Sequence, residues 1–349
     1  MTENPMKPVS YLLRTILLLG LPAAAMAAPP ARNVTFLSCS DTHYREPDHR
    51  LGCNNDLSRA TVEEMNRITT LAWPDKLGPD RIGKPRGVVL LGDLIDDGDR
   101  AGNGRRISEE QYKLFQADFG LDGTDGLLKY PVFEGWGNHD GPPIGKEKGG
   151  FSSQGQIKQR NAIRKQKKLI ANISDNGLHY SWDWDNVHFA QLNIYPADQQ
   201  RAGVKYSPVW HDPQGALSFL KADLAKNVGT SGRPVVLMAH CGFDTDWWVA
   251  QDWADLYAGC KTYNVVLYLY GHSGTGVSAW APPGEEKKWN CINDGQATTG
   301  FFVINLTGNR LRAAYRLKSG VKFTKMPDGK QEHTWDGKWD WKWLVDKKI

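Results

Sequence analysis

The sequence predicts an α/β fold, a mixed sandwich whose strands are joined first by helices and then by hairpins. Three observations support this. Five short apolar runs, most of them enriched in β-branched residues, each lead to an Asp, His or Asn. Between the first of these runs lie stretches whose apolar residues repeat at helical spacing. From Leu178 onward, alternating runs flank two-residue turns, the pattern of hairpins.

The chain opens on a targeting segment. Lys7 and Arg14 precede the apolar core Ile16 to Leu21, and Ala25-Met26-Ala27 is a small-x-small cleavage site. That core is too short to remain as a membrane span, and no Cys follows the cleavage site to take a lipid. Residues 1–27 are therefore read as a signal peptide that is removed. Residues 28–349 are then one domain with a Trp-rich C-terminal extension, in a periplasmic or secreted protein. The formal charge of +4 falls to +3 without Lys7, Arg14 and Glu3. So even a balance gives no support to nucleic acid as a partner. Five Cys are an odd number for an exported chain, and the reading is one or two disulfides with one thiol left over. None sits in a context that would activate it as a nucleophile.

The elements follow in order. The run Phe36–Cys39 leads to Asp41-Thr42-His43, and a polar insertion containing Cys53-Asn54-Asn55-Asp56 comes next. Asp56 is read as the cap of a helix whose buried stripe is Val62, Met65, Ile68 and Ala72. The run Val88–Leu91 ends on Gly92-Asp93, with Asp96 three residues on. A helix between two buried strands makes a parallel pair, and a carboxylate at such a strand tip sits where open α/β sheets keep their ligands. A second helix around Glu109–Gln116 leads to the run before Asn138-His139-Asp140. Residues 141–156 read as a loop over the site. Residues 157–172, with Lys158, Arg160, Arg164, Lys165, Lys167 and Lys168, read as a solvated helix, with capture of an anionic substrate as the alternative.

Leu178–Ile194 reads as a hairpin around Asp185-Asn186, with His179 and His188 as structural histidines inside its strands. Asp212 is expected to cap a helix with Pro213 at its first position and a Leu217, Leu220, Leu224 face. Val235–Met238 leads to His240 and Val265–Tyr270 to His272. Phe301–Thr307 and Arg310–Arg316 form a further hairpin, and the tail with Trp335, Trp339, Trp341 and Trp343 reads as strand or edge cover.

Asp, Asn and His are borderline-hard ligands that suit zinc, manganese or iron. One carboxylate, here Asp93, can give an oxygen to each of two ions. Two ions about 3.5–4 Å apart can hold a hydroxide and clamp both oxygens of an in-line displacement, which suits phosphate ester hydrolysis. His139, beside Asn138, is free to protonate a leaving group, and Asp96 is placed to hold its other ring nitrogen.

Asp41-x-His43, Gly92-Asp93-x-x-Asp96, Gly137-Asn138-His139-Asp140, the lone His240 and Gly271-His272 resemble, in order and spacing, the calcineurin-like metallophosphoesterase superfamily, over roughly Thr35 to Arg316. The resemblance implies an αββα sandwich of two mixed β-sheets flanked by helices, with a dinuclear centre at the strand ends. It implies two divalent metal ions (Mn, Zn or Fe): the first on Asp41, His43 and Asp93, the second on Asp93, Asn138, His240 and His272. His139 becomes the general acid, oriented by Asp96, and the partner is a small-molecule phosphate ester with no permanent membrane anchor. The superfamily's usual Gly-His-x-His reads Gly271-His272-Ser273-Gly274 here, so the first ion lacks its last histidine. His49, Asn54 and Asn55 in the insertion are candidates to complete it, and Gly274→His is expected to restore affinity unless the backbone needs a glycine. Purple acid phosphatases carry Tyr where this chain has Asp96, and serine/threonine phosphatases carry Arg where it has Asp97.

The motifs serve monoesters and diesters alike; the reading leans to monoesters. A second class of function is a metal-poor binding module for glycans or phospho-ligands, with Trp136, Trp247, Trp248 and Trp280 as stacking platforms. Core packing is the commoner use of such residues.

Overall fold

The first apolar run forms strand β1 (Asn33–Cys39), buried at every residue after Asn33. Val34 and Phe36 face one core, and Leu37 and Cys39 another. Covered on both sides, the strand is mainly apolar, and its two polar residues after Asn33, Thr35 and Ser38, are buried as well. The structure, a computed structural model, describes Met1 and residues 32–349 apart from 203, 205–208 and 246. The targeting segment, except for Met1, lies outside the described residues.

Two mixed sheets dominate. One has six strands in the order β15 (Trp339–Lys348), β12 (Arg310–Lys318), β11 (Gly300–Thr307), β1, β2 (Val88–Leu90) and β3 (Val132–Glu134). The other has seven: β4 (Asn172–Ile173), β5 (Tyr180–Trp184), β6 (Val187–Gln191), β7 (Pro234–Met238), β8 (Asn264–Tyr270), β10 (Trp289–Asp294) and β9 (Thr275–Trp280). A separate hairpin pairs β13 (Lys322–Lys325) with β14 (Gln331–Thr334). β1, β2 and β3 run parallel to one another, as do β6, β7, β8 and β10. The remaining neighbours are antiparallel, so each sheet is a parallel block extended by hairpins.

The sheets meet on an aromatic core. Phe133 of the first stacks on Trp182 of the second at 4.3 Å between centroids, and Trp182 stacks on Phe189 at 5.4 Å. Around them lie Phe36, Val89, Val236, Leu267 and Phe302. The outer strand faces join the helices α1 (Asn55–Arg67), α2 (Ile107–Phe119), α4 (Ala216–Asn227) and α5 (Ala250–Cys260) in a second core that includes Leu37, Leu90, Val62, Phe115, Leu237, Leu220 and Leu256. This is the predicted sandwich of two mixed sheets with helices. Among the described residues, no helix is long and apolar enough to cross a membrane.

Several local expectations need correction. α1 begins at Asn55, with Asp56 in its first turn rather than at its cap, and it ends at Arg67. Ile68-Thr69-Thr70 tightens into a 3₁₀ turn, where three β-branched residues in a row disfavour further helix, so Ala72 leaves the stripe. Asp212 caps no helix: its Oδ1 accepts from the Gln214 backbone N–H at 2.9 Å, and positive φ at Gln214 and Gly215 delays α4 to Ala216. Leu217, Leu220 and Leu224 are buried as expected.

The basic helix α3 (Ser153–Gln166) starts four residues early, with Ser152 Oγ accepting from the Gly155 N–H. It is not solvated all round, and two of its cations are committed within the fold. Arg160 and Arg164 are buried and both hold the buried Glu134 carboxylate, Arg160 Nε at 2.6 Å. Arg164 also donates to the Val132 carbonyl at 2.9 Å, fastening α3 to β3. The five cysteines are free thiols, four of them buried.

His179 lies one residue before β5 and His188 within β6. Both are satisfied: Nε2 of His179 donates to the Gln214 carbonyl at 3.1 Å while its Nδ1 accepts from Asn193, and His188 sits between Asp183 and Asp223 at 2.7 Å each.

Candidate metal centre

The parallel strands of both sheets deliver their C-terminal ends to one place. Asp41 and His43 follow β1, Asp93 and Asp96 follow β2, and Asn138 and His139 follow β3. His240 follows β7 and His272 follows β8. The structure thus brings together all eight residues singled out in the sequence. Asp41, His43, Asp93 and His272 adopt positive φ of 49°, 41°, 52° and 69°. Left-handed backbone at non-glycine residues costs energy and concentrates at functional sites. Here it turns the side chains inward as each chain leaves its strand.

The donor atoms converge around one carboxylate. His43 Nε2 lies 3.6 Å from Asp41 Oδ1 and 3.6 Å from Asp93 Oδ2, while its Nδ1 is 3.2 Å from Asp96 Oδ1. His240 Nδ1 donates to the Leu91 carbonyl at 2.9 Å, leaving Nε2 facing Asn138 Oδ1 at 2.9 Å and Asp93 Oδ2 at 3.3 Å. His240 is thus oriented by one nitrogen and presents the other to two oxygens, as in a carbonyl-supported metal ligand, and His43 likewise presents Nε2 to two carboxylates. Ligand atoms of Asp93, His240 and His272 lie within 4.8 Å of one another, and so do those of Asp93, His43 and His139. Asp93 belongs to both groups.

The electrostatics match this layout. Burial would push Asp93 up, but the imidazoles of His240, His139 and His43 outweigh it and hold its carboxyl well below the usual range. Burial opposes charge on His240, yet Asp93 and Asp41 raise it to about 9. His43 is raised well above its ordinary value because Asp41, Asp96 and Asp93 overcome its burial. His272 falls to about 4, through burial and then the neighbouring His240. Burial and the nearby Asp93 push Asp140 up to about 7. The site gathers acceptors and draws positive charge to itself. Divalent cations fit this donor set of Asp, Asn and His.

Two details depart from the sequence reading. The Asp96 carboxylate does not hold His139. It contacts Arg45 Nη2 at 3.0 Å, His43 at 3.2 Å and His49 at 3.3 Å, whereas His139 Nδ1 meets the Asp96 backbone carbonyl at 2.8 Å. The insertion residues proposed for the first ion are engaged with other partners. His49 is committed to Asp97 at 2.9 Å, Asn55 bridges both backbone groups of Arg45, and Asn54 meets His333. His49 belongs to a second cluster with Glu46 and Asp97, but Arg100 and Gln111 already neutralise and bond that cluster.

Other residues support these ligands in ways that their sequence positions do not specify. Asp140 accepts from the N–H groups of Leu94 (2.8 Å), Ile95 (3.2 Å) and Gly137 (2.7 Å), tying the loops after β2 and β3 together. A Cβ on Gly137 would sit 2.3 Å from Asp93 Oδ1, so only glycine lets these loops close on the shared carboxylate. The Ser40 hydroxyl and the His272 N–H both hold Asp41 Oδ2. Trp247 packs edge-on to His272 at 4.2 Å. Trp136, Trp247 and Trp248 are buried, and Trp280 stacks on Phe243 at 3.5 Å, so these four are packing residues, the commoner of the two uses weighed from the sequence.

A two-sheet fold with a carboxylate shared between two donor groups at its strand tips defines a class of dinuclear metallohydrolase. A sequence profile of the calcineurin-like phosphoesterases matches residues 34–275. The chain belongs to that family, and is accordingly a metal-dependent hydrolase of phosphoester bonds. Among solved structures, GAP50, the anchor in the inner membrane complex of Plasmodium, is similar at 11% identity and a TM-score of 0.44, covering 82% of this chain and 85% of that one. TT1561 of Thermus thermophilus shares 12% identity at a TM-score of 0.41, covering 79% and 99%. Phosphopantetheinyl hydrolase from Mycobacterium tuberculosis shares 13% at 0.34, covering 75% and 89%. No curated protein gives a significant match.

Proposed function

We propose that the chain is an exported phosphomonoesterase with two divalent metal ions, in which His139 is the general acid. The observation behind this is the position of Asp93, whose Oδ2 lies 3.6 Å from His43 Nε2 and 3.3 Å from His240 Nε2. One carboxylate thereby serves two ligand sets. Asp41, His43 and Asp93 would hold the first ion, and Asp93, Asn138, His240 and His272 the second. When bound, the ions supply Lewis-acid polarisation of the phosphoryl group and an activated water.

The chain's own residues do the rest. The His139 N–H donates to Asp93 Oδ1 through the backbone at 2.8 Å, and its Nδ1 is fixed on the Asp96 carbonyl. That leaves Nε2 as the nitrogen able to give a proton to the departing alkoxide. The His139 ring lines a cleft with Arg45 and Arg50, whose charges suit the additional negative charge of a monoester. The N-terminal segment from Lys7 to Ala27 supports export.

The direct test is metal analysis of the purified protein together with hydrolysis of a nitrophenyl monoester and a bis-nitrophenyl ester in Mn, Zn, Fe and Mg. The expected outcome is metal-dependent turnover with the monoester preferred. Preference for the bis-ester would make it a diesterase, and metal-independent or absent turnover would overturn the reading. Export is checked by N-terminal sequencing of the mature protein, with a start at Ala28 expected.

A further inference from the structure

The family profile ends at residue 275, yet chain far beyond that point completes the cleft beside the metal centre. The cleft has a volume of about 460 Å³, and His43 and His139 share its lining with Phe323 and Gln331. These last two belong to the β13–β14 hairpin, one at each strand.

The hairpin is fastened in place. The Gln331 N–H donates to the Leu51 carbonyl at 2.9 Å, and His333 reaches Asp56 at 2.8 Å and Asn54 at 3.3 Å. Phe323 pairs with His333 across the hairpin, so both side chains emerge on one face. Their rings are 6.2 Å apart. At the hairpin's base, Lys318 is buried with its ammonium 4.5 Å from the Trp339 ring centre, which anchors the strand leading into β13.

Phe323 itself is 42% exposed. A large aromatic side chain left open to water in a cleft otherwise lined mainly by charged and polar groups forgoes burial that a ligand can supply. All four residues of β13 are exposed. The hairpin therefore holds a partly exposed ring, with restricted freedom, at the mouth of the reaction site.

We propose that Phe323 is a specificity-determining residue: its ring stacks on the leaving group, selecting phosphate esters of alcohols that carry an aromatic or heteroaromatic ring. This rests on the phosphoesterase reading above. Such a contact lies outside the metal centre and acts only on substrates with a complementary face. A small aliphatic ester meets the same metal residues and the same His139 but leaves Phe323 unused.

The test is kcat/KM for phenyl phosphate and for glycerol 2-phosphate, measured on the metal-loaded wild type, Phe323→Ala and Phe323→Leu. Taking each variant relative to wild type on the same substrate cancels the difference in leaving-group chemistry. Phe323→Ala is expected to lower the phenyl phosphate value about tenfold and to leave glycerol 2-phosphate within about twofold. Phe323→Leu, which keeps apolar bulk without a ring face and guards against misfolding of the alanine variant, should fall between wild type and Ala on phenyl phosphate. Equal losses on both substrates, or an unchanged phenyl phosphate value in either variant, overturn the role of Phe323 while leaving the phosphoesterase reading standing. A metal-loaded wild type that turns over neither ester overturns both.

Discussion

His139 and Asp96 meet through the backbone: the imidazole Nδ1 lies 2.8 Å from the Asp96 carbonyl oxygen, while the Asp96 carboxylate faces His43 at 3.2 Å. The two side chains therefore have separable effects. His139→Ala should keep its metal and lose about 10²–10⁴ in rate, with a smaller loss for good leaving groups. Asp96→Ala leaves the His139 hydrogen bond in place and removes support from His43. It should weaken metal binding by about 10–100-fold without changing the dependence on leaving group. Metal titrations and a series of substituted phenyl phosphates check both. Identical leaving-group dependence in the two variants would return the Asp96 carboxylate to the acid.

Asp93→Ala removes the one carboxylate common to both donor groups. Both ions and all measurable turnover should be lost together, read by elemental analysis and a phosphatase assay. Retention of one tightly held ion would show that the two sites are independent.

Gly274 stands where the family places a further histidine, and its φ is +128°. The space is open, with no heavy atom within 4 Å of an added Cβ, but the backbone is one that side chains rarely adopt. As purified, the wild type should hold nearer one ion than two, and added Mn should fill the weaker first site and raise activity. Gly274→His, favoured by sequence as a repair, should instead cost about 1–3 kcal/mol of stability without raising metal content. Thermal unfolding and metal analysis of the variant decide this, and a second tightly bound ion would refute it.

His179 is wholly buried, and desolvation lowers its pKa to about 4. A folded-state pKa below the unfolded value of about 6.5 means that the unfolded chain takes up the proton first as pH falls. The contribution of neutral His179 is therefore present above pH 6.5 and lost between about 6.5 and 4, on the order of 3 kcal/mol. His179→Gln should be less stable than wild type at pH 7, and the gap in urea midpoint should narrow as pH approaches 4. A gap constant with pH would mean that His179 titrates alike in both states.

The strand tips were readable because two local demands coincide in them. A strand covered on both faces carries few polar residues: Val88 to Leu90 is apolar throughout, and Val34 to Cys39 is broken only by Thr35 and Ser38. Hard-cation chemistry admits few side chains, so Asp41, His43, Asp93, Asn138, His240 and His272 stand out directly after such runs. The helix boundaries were less legible, because an Asx turn at Asp212 competes with a cap of the same composition.

Pairings across the fold left no local trace. Charge spacing on α3 cannot reveal that Arg160 and Arg164 face a buried Glu134 on another element. Residue type does not say whether Asp96 offers its carboxylate or its carbonyl, since both are acceptors and the backbone after β2 selects between them. The same holds for Phe323, which reaches the cleft only because the hairpin docks on an insertion about 280 residues earlier, through Gln331 on Leu51 and His333 on Asp56. Composition and period fix which elements form and which chemistry their tips can hold. Orientation, pairing and the shape of the cleft come from long-range closure, where each side chain's partner is set by the packing of the whole chain.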